Sequence, residues 1–304
     1  MTVRPMGRGD VAAVANRVAR ALARDANREP LICSRFSRAA LRDALESARD
    51  VAWVADGAQD LCGHLVGTVL EDRGGAKRAW VGPDGVSFDD PQTLDQLYRV
   101  ARVRWNAMGA HEHLAWVFRD DLAPWVSLGF SRVHVRAARA IDASAPSWPR
   151  SYCVRPGTLG DLEVALALDA LVEDGTSAPS THEMNDEGCR REEWRELLSE
   201  PDVRHFVVER AGDPVAQIVS YPLGSLRGSF ARTVHFSALA VEPSHRRRGV
   251  ARALVETATA SAHRDGFRYA EVAWRSANDG AQALWTTLGF RATYVRLQRH
   301  GDSS

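Results

Sequence analysis

Between Leu239 and Leu254 the chain reads LAVEPSHRRRGVARAL, with three consecutive arginines followed by a glycine. Residues 233–241, TVHFSALAV, alternate and are rich in small and apolar side chains, which predicts a strand. Apolar residues at 250, 253, 254 and 258 then fall on one helical face, and Gly266 is a typical helix stop. The loop at 245–249 is therefore expected to connect the end of a strand to the start of a helix.

This loop has the features of an anion site. Backbone N–H groups and the positive end of the helix dipole attract anions at a helix N-terminus. Gly249 allows a ligand to approach the backbone, Ala251 leaves the first helical turn uncluttered, and the arginines at 246–248 add charge. The alternative is a solvated charge run without a ligand. The order of strand, loop, glycine and helix favours the anion site, and a diphosphate fits it.

Much of the remaining chain occurs twice. VRPMGRGD at Val3–Asp10 returns as VRPGTLGD at Val154–Asp161, and WVSLGF at 125–130 returns as WTTLGF at 285–290. A repeat whose period is close to the size of a domain indicates a tandem duplication. Each copy is expected to begin with a strand and then a helix capped near its aspartate.

The copies are joined by a plausible linker, IDASAPSWPRS at 141–151, which is rich in Ser, Ala and Pro. We predict two domains, residues 1–145 and residues 151–304. The first copy has no counterpart of the arginine–glycine loop between Ala79 and Gly109. Only the second copy is therefore expected to bind the anion.

Composition excludes several classes of function. The chain has 304 residues, 45% of them hydrophobic and 26% charged, which fits two globular domains and not a disordered protein. Its net charge of zero gives no basic footprint for nucleic acid or membranes. We expect a cytoplasmic protein with unpaired thiols, because neither a signal core, a membrane-length apolar run nor a CxxC pattern is present. No metal is expected, because His111-Glu112-His113 and Thr181-His182-Glu183 lack ligand spacing and a third partner.

The loop resembles the acetyl-CoA pyrophosphate loop of the GNAT acetyltransferase superfamily, whose pattern is [Q/R]-x-x-G-x-[G/A]. Arg246, Gly249 and Ala251 occupy its three specified positions. Downstream, NDGAQALWTTLGF at 278–290 is similar to the family's N-x-x-A-x-x-L-Y-x-x-x-G-F. The resemblance covers roughly residues 151–298. The first copy shares only the WxxLGF ending and a predicted hairpin, whose second strand is QDLCGHLV at 59–66 and GDPVAQIV at 212–219 in the second copy. The resemblance implies a tandem GNAT chain with a degenerate N-terminal half.

The resemblance implies an α+β fold of two GNAT-like domains, each a mixed, mostly antiparallel sheet flanked by helices. It also implies an N-acetyltransferase that moves an acetyl group from acetyl-CoA to a primary amine, more plausibly on a small molecule than on a protein. The implied cofactor contacts are the backbone of Leu239, Ala240 and Val241 for the pantetheine arm and the amides of Arg247, Arg248, Gly249, Val250, Ala251 and Arg252 for the diphosphate. Asn278 is expected in the cleft near the cofactor.

The catalytic groups are less clearly marked. The family's tyrosine falls at Trp285, whose indole cannot donate a proton near neutral pH, so water is expected to protonate the leaving thiolate. Trp285 is interpreted as a packed aromatic, and the resemblance also places it among the residues that bind the cofactor. His235 and Ser237 share a strand face where many members carry a carboxylate base, and Glu271 is a weaker candidate. The alternative for His235 is a half-buried, hydrogen-bonded strand residue, which is the commoner role of a histidine in a strand.

The expected substrate segment, residues 171–188, is acidic, with Glu173, Asp174, Glu183, Asp186 and Glu187. Such a loop attracts a cationic amine, although it is also consistent with an ordinary exposed loop. The missing tyrosine and the lack of an obvious carboxylate base leave a second hypothesis open, a non-catalytic acyl-CoA-binding or protein-interaction module. The sequence does not indicate an oligomeric state.

Overall fold

The structure, a computed structural model, describes residues 1–48, 51–72, 74–142, 145–174, 187–223 and 228–301. The chain divides into two compact units. Unit 1 comprises Met1–Val135, Leu226–Phe230 and Ala292–Ser304, and unit 2 comprises Arg136–Ser225 and Ala231–Arg291.

Helices and strands are mixed along the whole chain, as predicted for the α+β class. The strands are β1 (Thr2–Pro5), β2 (Ala52–Asp56), β3 (Leu61–Val66), β4 (Thr68–Glu71), β5 (Lys77–Val81), β6 (Val86–Phe88), β7 (Ala110–Phe118), β8 (Ser131–Ala140), β9 (Cys153–Pro156), β10 (Arg204–Arg210), β11 (Asp213–Pro222), β12 (Thr233–Val241), β13 (Tyr269–Arg275) and β14 (Arg291–His300). The helices are α1 (Val11–Arg28), α2 (Arg38–Ser47), α3 (Pro91–Ala107), α4 (Ala123–Ser127), α5 (Leu162–Asp174), α6 (Glu187–Ser199), α7 (Val250–Arg264) and α8 (Asp279–Thr287). None of the helices in the described ranges is long and apolar enough to cross a membrane.

Unit 1 contains two groups of paired strands. β1, β2, β3 and β6 are antiparallel neighbours in that order. In the order β4, β5, β7 and β14, the central β5–β7 pair is parallel and the other two pairs are antiparallel. Helix α3 contacts β2, β3 and β7, and its buried residues recur at helical spacing: Leu94, Leu97, Tyr98, Ala101 and Trp105.

Unit 2 has one sheet in the order β13, β12, β11, β10, β9. Every pair is antiparallel except the parallel β12–β13 pair. α5 and α7 contact the sheet, and α6 packs against α5. The predicted fold class is confirmed, because both units are mixed, mostly antiparallel sheets flanked by helices.

The duplicated start is visible in three dimensions. Arg4 bonds Asp10 at 2.7 Å and Asp56 at 2.9 Å, and Arg155 bonds Asp161 at 2.7 Å and Glu209 at 2.6 Å. Each of the two aspartates ends a short 3-10 turn just before its long helix and accepts a hydrogen bond from the backbone amide three residues earlier, that of Gly7 or Thr158. The same arginine-centred ion pairs thus attach the first strand of each copy to the following turn and to the neighbouring strand.

The compact units do not coincide with the two sequence copies. β14 comes from the end of the second copy, yet it pairs antiparallel with β7 of unit 1, from Tyr294↔Phe118 to His300↔Glu112. Unit 2 in turn includes the end of β8, residues 136–140. The predicted boundaries 1–145 and 151–304 describe the copies along the sequence and stay a prediction.

Equivalent arginines on β8 and β14 make the same contact in each unit. In unit 2, Arg139 donates to the Leu288 carbonyl oxygen at 2.6 Å, just before Gly289 of the second WxxLGF segment. In unit 1, Arg299 donates to the Leu128 carbonyl oxygen of the first WxxLGF segment. Each copy of the ending is therefore held by the last strand of the other copy.

Candidate functional site

The strand, loop and helix predicted around the arginines are confirmed. β12 spans Thr233–Val241, a 3-10 turn spans Pro243–His245, and α7 begins at Val250. The predicted apolar face of α7 is buried, as Val250, Ala253, Leu254 and Ala258.

The loop backbone is held in an unusual conformation. Gly249 is the N-cap of α7 with φ +83°, and Arg247 also has a left-handed φ of +59°. Arg246 donates from Nε to the Val241 carbonyl oxygen at 3.0 Å, which fastens the loop to the end of β12. Glycine suits position 249 because a residue with a Cβ is disfavoured at that φ.

A row of backbone donors is left open by this turn. Ala253 is the first residue of α7 whose N–H bonds the preceding turn, to the Gly249 carbonyl oxygen at 3.0 Å. The N–H groups of residues 247–252 have no protein acceptor in the part of the chain that the structure describes. The Arg247 and Arg248 side chains are exposed beside them. The combination can bind a diphosphate through backbone hydrogen bonds and charge.

In unit 1, carboxylates occupy the N-terminus of α3, the helix that corresponds to α7. Asp90 is the N-cap of α3 and accepts hydrogen bonds from the Thr93 amide at 2.9 Å and the Thr93 hydroxyl at 2.8 Å. These bonds, the backbone one foremost, hold the pKa of Asp90 below its usual range. Asp89 beside it pairs with Arg17 at 2.6 Å. The N-terminus of α3 in unit 1 is thus occupied by an anionic side chain, whereas the N-terminus of α7 in unit 2 carries unbonded amides.

A gap opens between β12 and β13 on the N-terminal side of α7. The two strands pair in parallel from Thr233↔Tyr269 to Phe236↔Val272, and the described residues beyond are not paired with one another. Ala238 has a φ of +50°, and the register of β12 against β11 shifts around it. This bulge separates the strands, so the segment Leu239, Ala240 and Val241 borders the gap, where an extended arm can lie.

Three polar side chains meet next to the bulge. His235 lies opposite Tyr221 of β11, with ring centroids 5.2 Å apart, and Tyr221 shares a hydrogen bond with Ser237. Burial lowers the pKa of His235 to about 4, with Arg136 acting in the same direction and Glu271 against it. Burial also raises the pKa of Tyr221. At neutral pH the site therefore presents a neutral imidazole beside a protonated phenol.

Tyr221 was not singled out from the sequence. It lies near the end of β11, and no local motif marks it. The strand register against β12 brings it beside His235 and Ser237, and that register depends on the bulge at Ala238.

Glu271 is held in a buried ion pair. Its carboxylate oxygens accept from Arg136 Nε at 2.8 Å and Nη2 at 3.1 Å, and only 2% of Glu271 is exposed. In the parallel register Glu271 lies opposite His235. The carboxylate is therefore next to the histidine but is already bonded on both oxygens.

Trp285 and Asn278 have structural contacts. Trp285 is buried and packs edge-on against Phe290 at 5.0 Å, as Trp125 does against Phe130 at 5.0 Å in unit 1. Asn278 caps α8 by accepting from the Ala281 amide at 2.9 Å. The cofactor roles of both residues stay predictions.

The structure does not test the acidic segment that was expected to recognise the substrate. Residues 175–186 and the side chains at 173, 174 and 187 lie outside the described residues.

The sequence around this site matches a known protein family. Residues 167–290, which include β12, the loop and α7, match the model of the acetyltransferase (GNAT) family. Residues 167–290 therefore form a domain of the GNAT acetyltransferase type, and the predicted resemblance is confirmed for this part of the chain. No curated protein matches the sequence.

Solved structures share the GNAT fold along the whole chain. A GCN5-related N-acetyltransferase from Sphaerobacter thermophilus is similar with a TM-score of 0.63 and 14% identity, over 98% of this chain and 95% of that chain. A tandem GNAT protein from the clavulanic acid biosynthesis pathway gives a TM-score of 0.54 and 16% identity, over 100% and 99%. A GCN5-related N-acetyltransferase from Kribbella flavida gives 0.51 and 18%, over 80% and 88%. At these identities the likeness establishes the fold, including the tandem arrangement.

Proposed function

We propose that this GNAT protein transfers the acetyl group of acetyl-CoA to a primary amine of a small molecule, and that unit 2 carries the site. The observation that supports this most directly is the row of unbonded amides at 247–252, which includes the left-handed Gly249. A diphosphate on these amides leaves the pantetheine arm beside Leu239, Ala240 and Val241, where β12 separates from β13. The residues present therefore fit the co-substrate.

Acetyl-CoA supplies an activated thioester, and the chain has to hold it still and handle the protons. His235 is a weak base, because its pKa is about 4 whereas an alkylammonium has a pKa of about 10. Direct deprotonation of the ammonium by His235 is uphill by about 8 kcal/mol at 1.36 kcal/mol per pKa unit. The amine therefore arrives neutral, and His235 accepts its proton as the new nitrogen–carbon bond makes the nitrogen acidic.

The leaving thiolate needs little help. A thiol pKa of about 8.5 makes it a tolerable leaving group, and water can protonate it. Trp285 cannot do so, since its indole is packed against Phe290 and does not ionise near neutral pH. Tyr221 keeps its proton and orients the Ser237 hydroxyl beside the bulge.

A second candidate is a protein that binds acyl-CoA without catalysis. It is supported by the tryptophan at position 285 and by the engagement of Glu271 with Arg136, which leaves no unbonded carboxylate at that position. Under this hypothesis the loop would bind the co-substrate just as tightly.

Release of free thiol from acetyl-CoA across a panel of primary amines distinguishes the two. We expect amine-dependent release that rises with pH toward the pKa of each amine, because the neutral amine is the nucleophile. Acetyl-CoA binding in calorimetry without amine-dependent release from any member of the panel would favour the binding module. Absence of both would contradict the proposed function and the alternative together.

A further inference from the structure

A carboxylate occupies a core position of helix α1. The buried residues of α1 follow the spacing of one helical face, and all but the last are apolar: Val11, Val14, Ala15, Val18, Ala21, Leu22 and Asp25. Only 4% of Asp25 is exposed to solvent. Because a buried carboxylate is costly unless its oxygens are bonded, Asp25 requires a cationic or hydrogen-bonding partner.

The chain supplies Asp25 with only part of such a partnership. Arg24 Nη2 lies 3.3 Å from Asp25 Oδ1, which is long for a pair of charged groups, and 56% of the Arg24 side chain is exposed. Asp25 Oδ2 accepts no hydrogen bond from the residues that the structure describes. Burial raises the pKa of Asp25, and Arg24 lowers it by less. One oxygen of this carboxylate is therefore available to a donor from outside the protein.

Asp25 lines a cavity of about 270 Å³ in unit 1, here called the Asp25 cavity. Its size is close to the lower end of the range for small-molecule sites, about 300–1,000 Å³. Phe88 of β6 and Trp116 of β7, both half-buried, also line it. Arg296 lies over one face of Trp116, 5.9 Å from the ring centre, whereas no ring or arginine in the described ranges is stacked on Phe88. The cavity thus combines a buried carboxylate with an aromatic wall.

The wall of the Asp25 cavity is acidic. Among the described residues that line it are three carboxylates and one arginine, the partly exposed Arg24. The other two carboxylates, Asp120 and Asp121, are paired with Arg28 at 3.5 and 2.8 Å. Asp25 is left with the long contact to Arg24, and it lies near the C-terminal end of α1, which carries a partial negative charge. These charges favour a cationic ligand and disfavour an anionic one.

We propose that the Asp25 cavity binds a small organic cation, whose primary ammonium group donates to Asp25 Oδ2 and whose apolar part lies against Phe88 and Trp116. An ammonium group offers three N–H donors, and its bond to a carboxylate is charge-assisted. Aromatic rings add attraction for a cation. The site is separate from the acetyl-transfer site proposed in unit 2, and it lies in the copy whose helix N-terminus is capped by Asp90.

Equilibrium calorimetry on the full chain tests this with two probes of similar shape. Phenethylamine carries a primary ammonium group and a benzene ring, whereas phenethyl alcohol replaces the ammonium group with a neutral hydroxyl. Phenethylamine should bind about tenfold or more tightly than the alcohol, because a hydrogen bond between charged partners is stronger than a neutral one. Both titrations are done without acetyl-CoA, so that no transfer reaction contributes heat.

Two substitutions should change the affinity in opposite directions. Asp25→Asn keeps the shape of the side chain and removes its charge, so it should weaken phenethylamine about tenfold and leave phenethyl alcohol within about twofold. Arg24→Ala removes the cation that competes for Asp25, so it should strengthen phenethylamine binding about threefold. Asp43→Asn, at an exposed position of α2 in unit 1, makes the same change in charge as Asp25→Asn and should have no effect.

The inference is overturned if phenethyl alcohol binds as tightly as phenethylamine, since the cavity is then merely apolar. It is also overturned if the wild type binds neither probe, or if Asp25→Asn binds phenethylamine like the wild type. Urea denaturation shows whether Asp25→Asn is folded. If it is not, Arg24→Ala decides, and unchanged or weaker binding by that variant overturns the inference. Thiol release from acetyl-CoA is measured separately, so failure of this site leaves the proposed function untouched.

Discussion

Gly249→Val tests the anion loop at its most constrained backbone position. A residue with a Cβ at a φ of +83° costs about 1–2 kcal/mol, and a β-branched side chain adds to the restriction. The new Cβ would meet only Pro149 Cγ, at an ordinary 3.5 Å, so the core is not disturbed. We expect the free energy of unfolding to fall by about 1–2 kcal/mol while the fold is retained.

The effect on binding should be larger. The valine either stands beside the open amides or turns them away by relaxing the backbone. Loss of two charge-assisted hydrogen bonds, at about 1.5–3 kcal/mol each, weakens coenzyme A binding by about 100-fold or more. Calorimetry measures the affinity, and urea denaturation measures the stability.

Gly266→Val is the matched control. Gly266 follows the other end of α7 with a φ of +90°, and a Cβ there would meet no atom within 4 Å. It should lose a similar amount of stability and keep wild-type affinity. A Gly249→Val protein that binds coenzyme A within twofold of the wild type, or a Gly266→Val protein that loses as much affinity, would refute the assignment of the loop.

Three further predictions concern protons. His235→Ala should lower kcat/KM at pH 7 about 100-fold, and a variant as fast as the wild type would remove His235 from the mechanism. The pH–rate profile of the wild type should show no step near pH 6.5, because burial holds the pKa of His235 near 4. Trp285→Phe should keep most of the activity, and a tenfold gain in Trp285→Tyr would show that the missing proton donor limits the rate. The third prediction concerns the free energy of unfolding, measured by urea titrations at pH 7, 6 and 5. It should decrease as the pH is lowered, by up to about 1.4 kcal/mol per pH unit for each buried histidine, because an unfolded histidine binds its proton near pH 6.5, while burial lowers the pKa of His64 to about 3 and of His113 to about 4. Equal stability at the three pH values would contradict this.

Local sequence patterns were sufficient to predict the strand and the helix on either side of the loop. β12 and the start of α7 lie where alternation, helical spacing and the glycine at 249 place them, because each signal acts within a few residues. The aspartate of each start also lies where the repeat places it, just before the first long helix of its copy.

Long-range pairing could not be predicted from the sequence. Arg136 is 135 residues from Glu271, and no periodicity links them, so the weaker base candidate could not be recognised as an ion-pair partner. The bulge depends on a left-handed alanine at 238, a conformation that alanine itself does not signal. Tyr221 reaches the site only through that register, and the assignment of β14 to unit 1 follows from pairing with β7.

The number of coenzyme A sites per chain tests the degeneracy of the first copy. Separately expressed halves are unsuitable for this test, because residues 1–145 lack β14 of unit 1 and residues 151–304 lack the end of β8 in unit 2. The full chain should bind one coenzyme A in calorimetry, since Asp90 occupies the helix terminus of unit 1 with a carboxylate that repels a diphosphate. Gly249→Val should then leave no tight site at all. Two sites in the wild type, or one site of nearly wild-type affinity in Gly249→Val, would show that unit 1 binds the co-substrate despite its acidic cap.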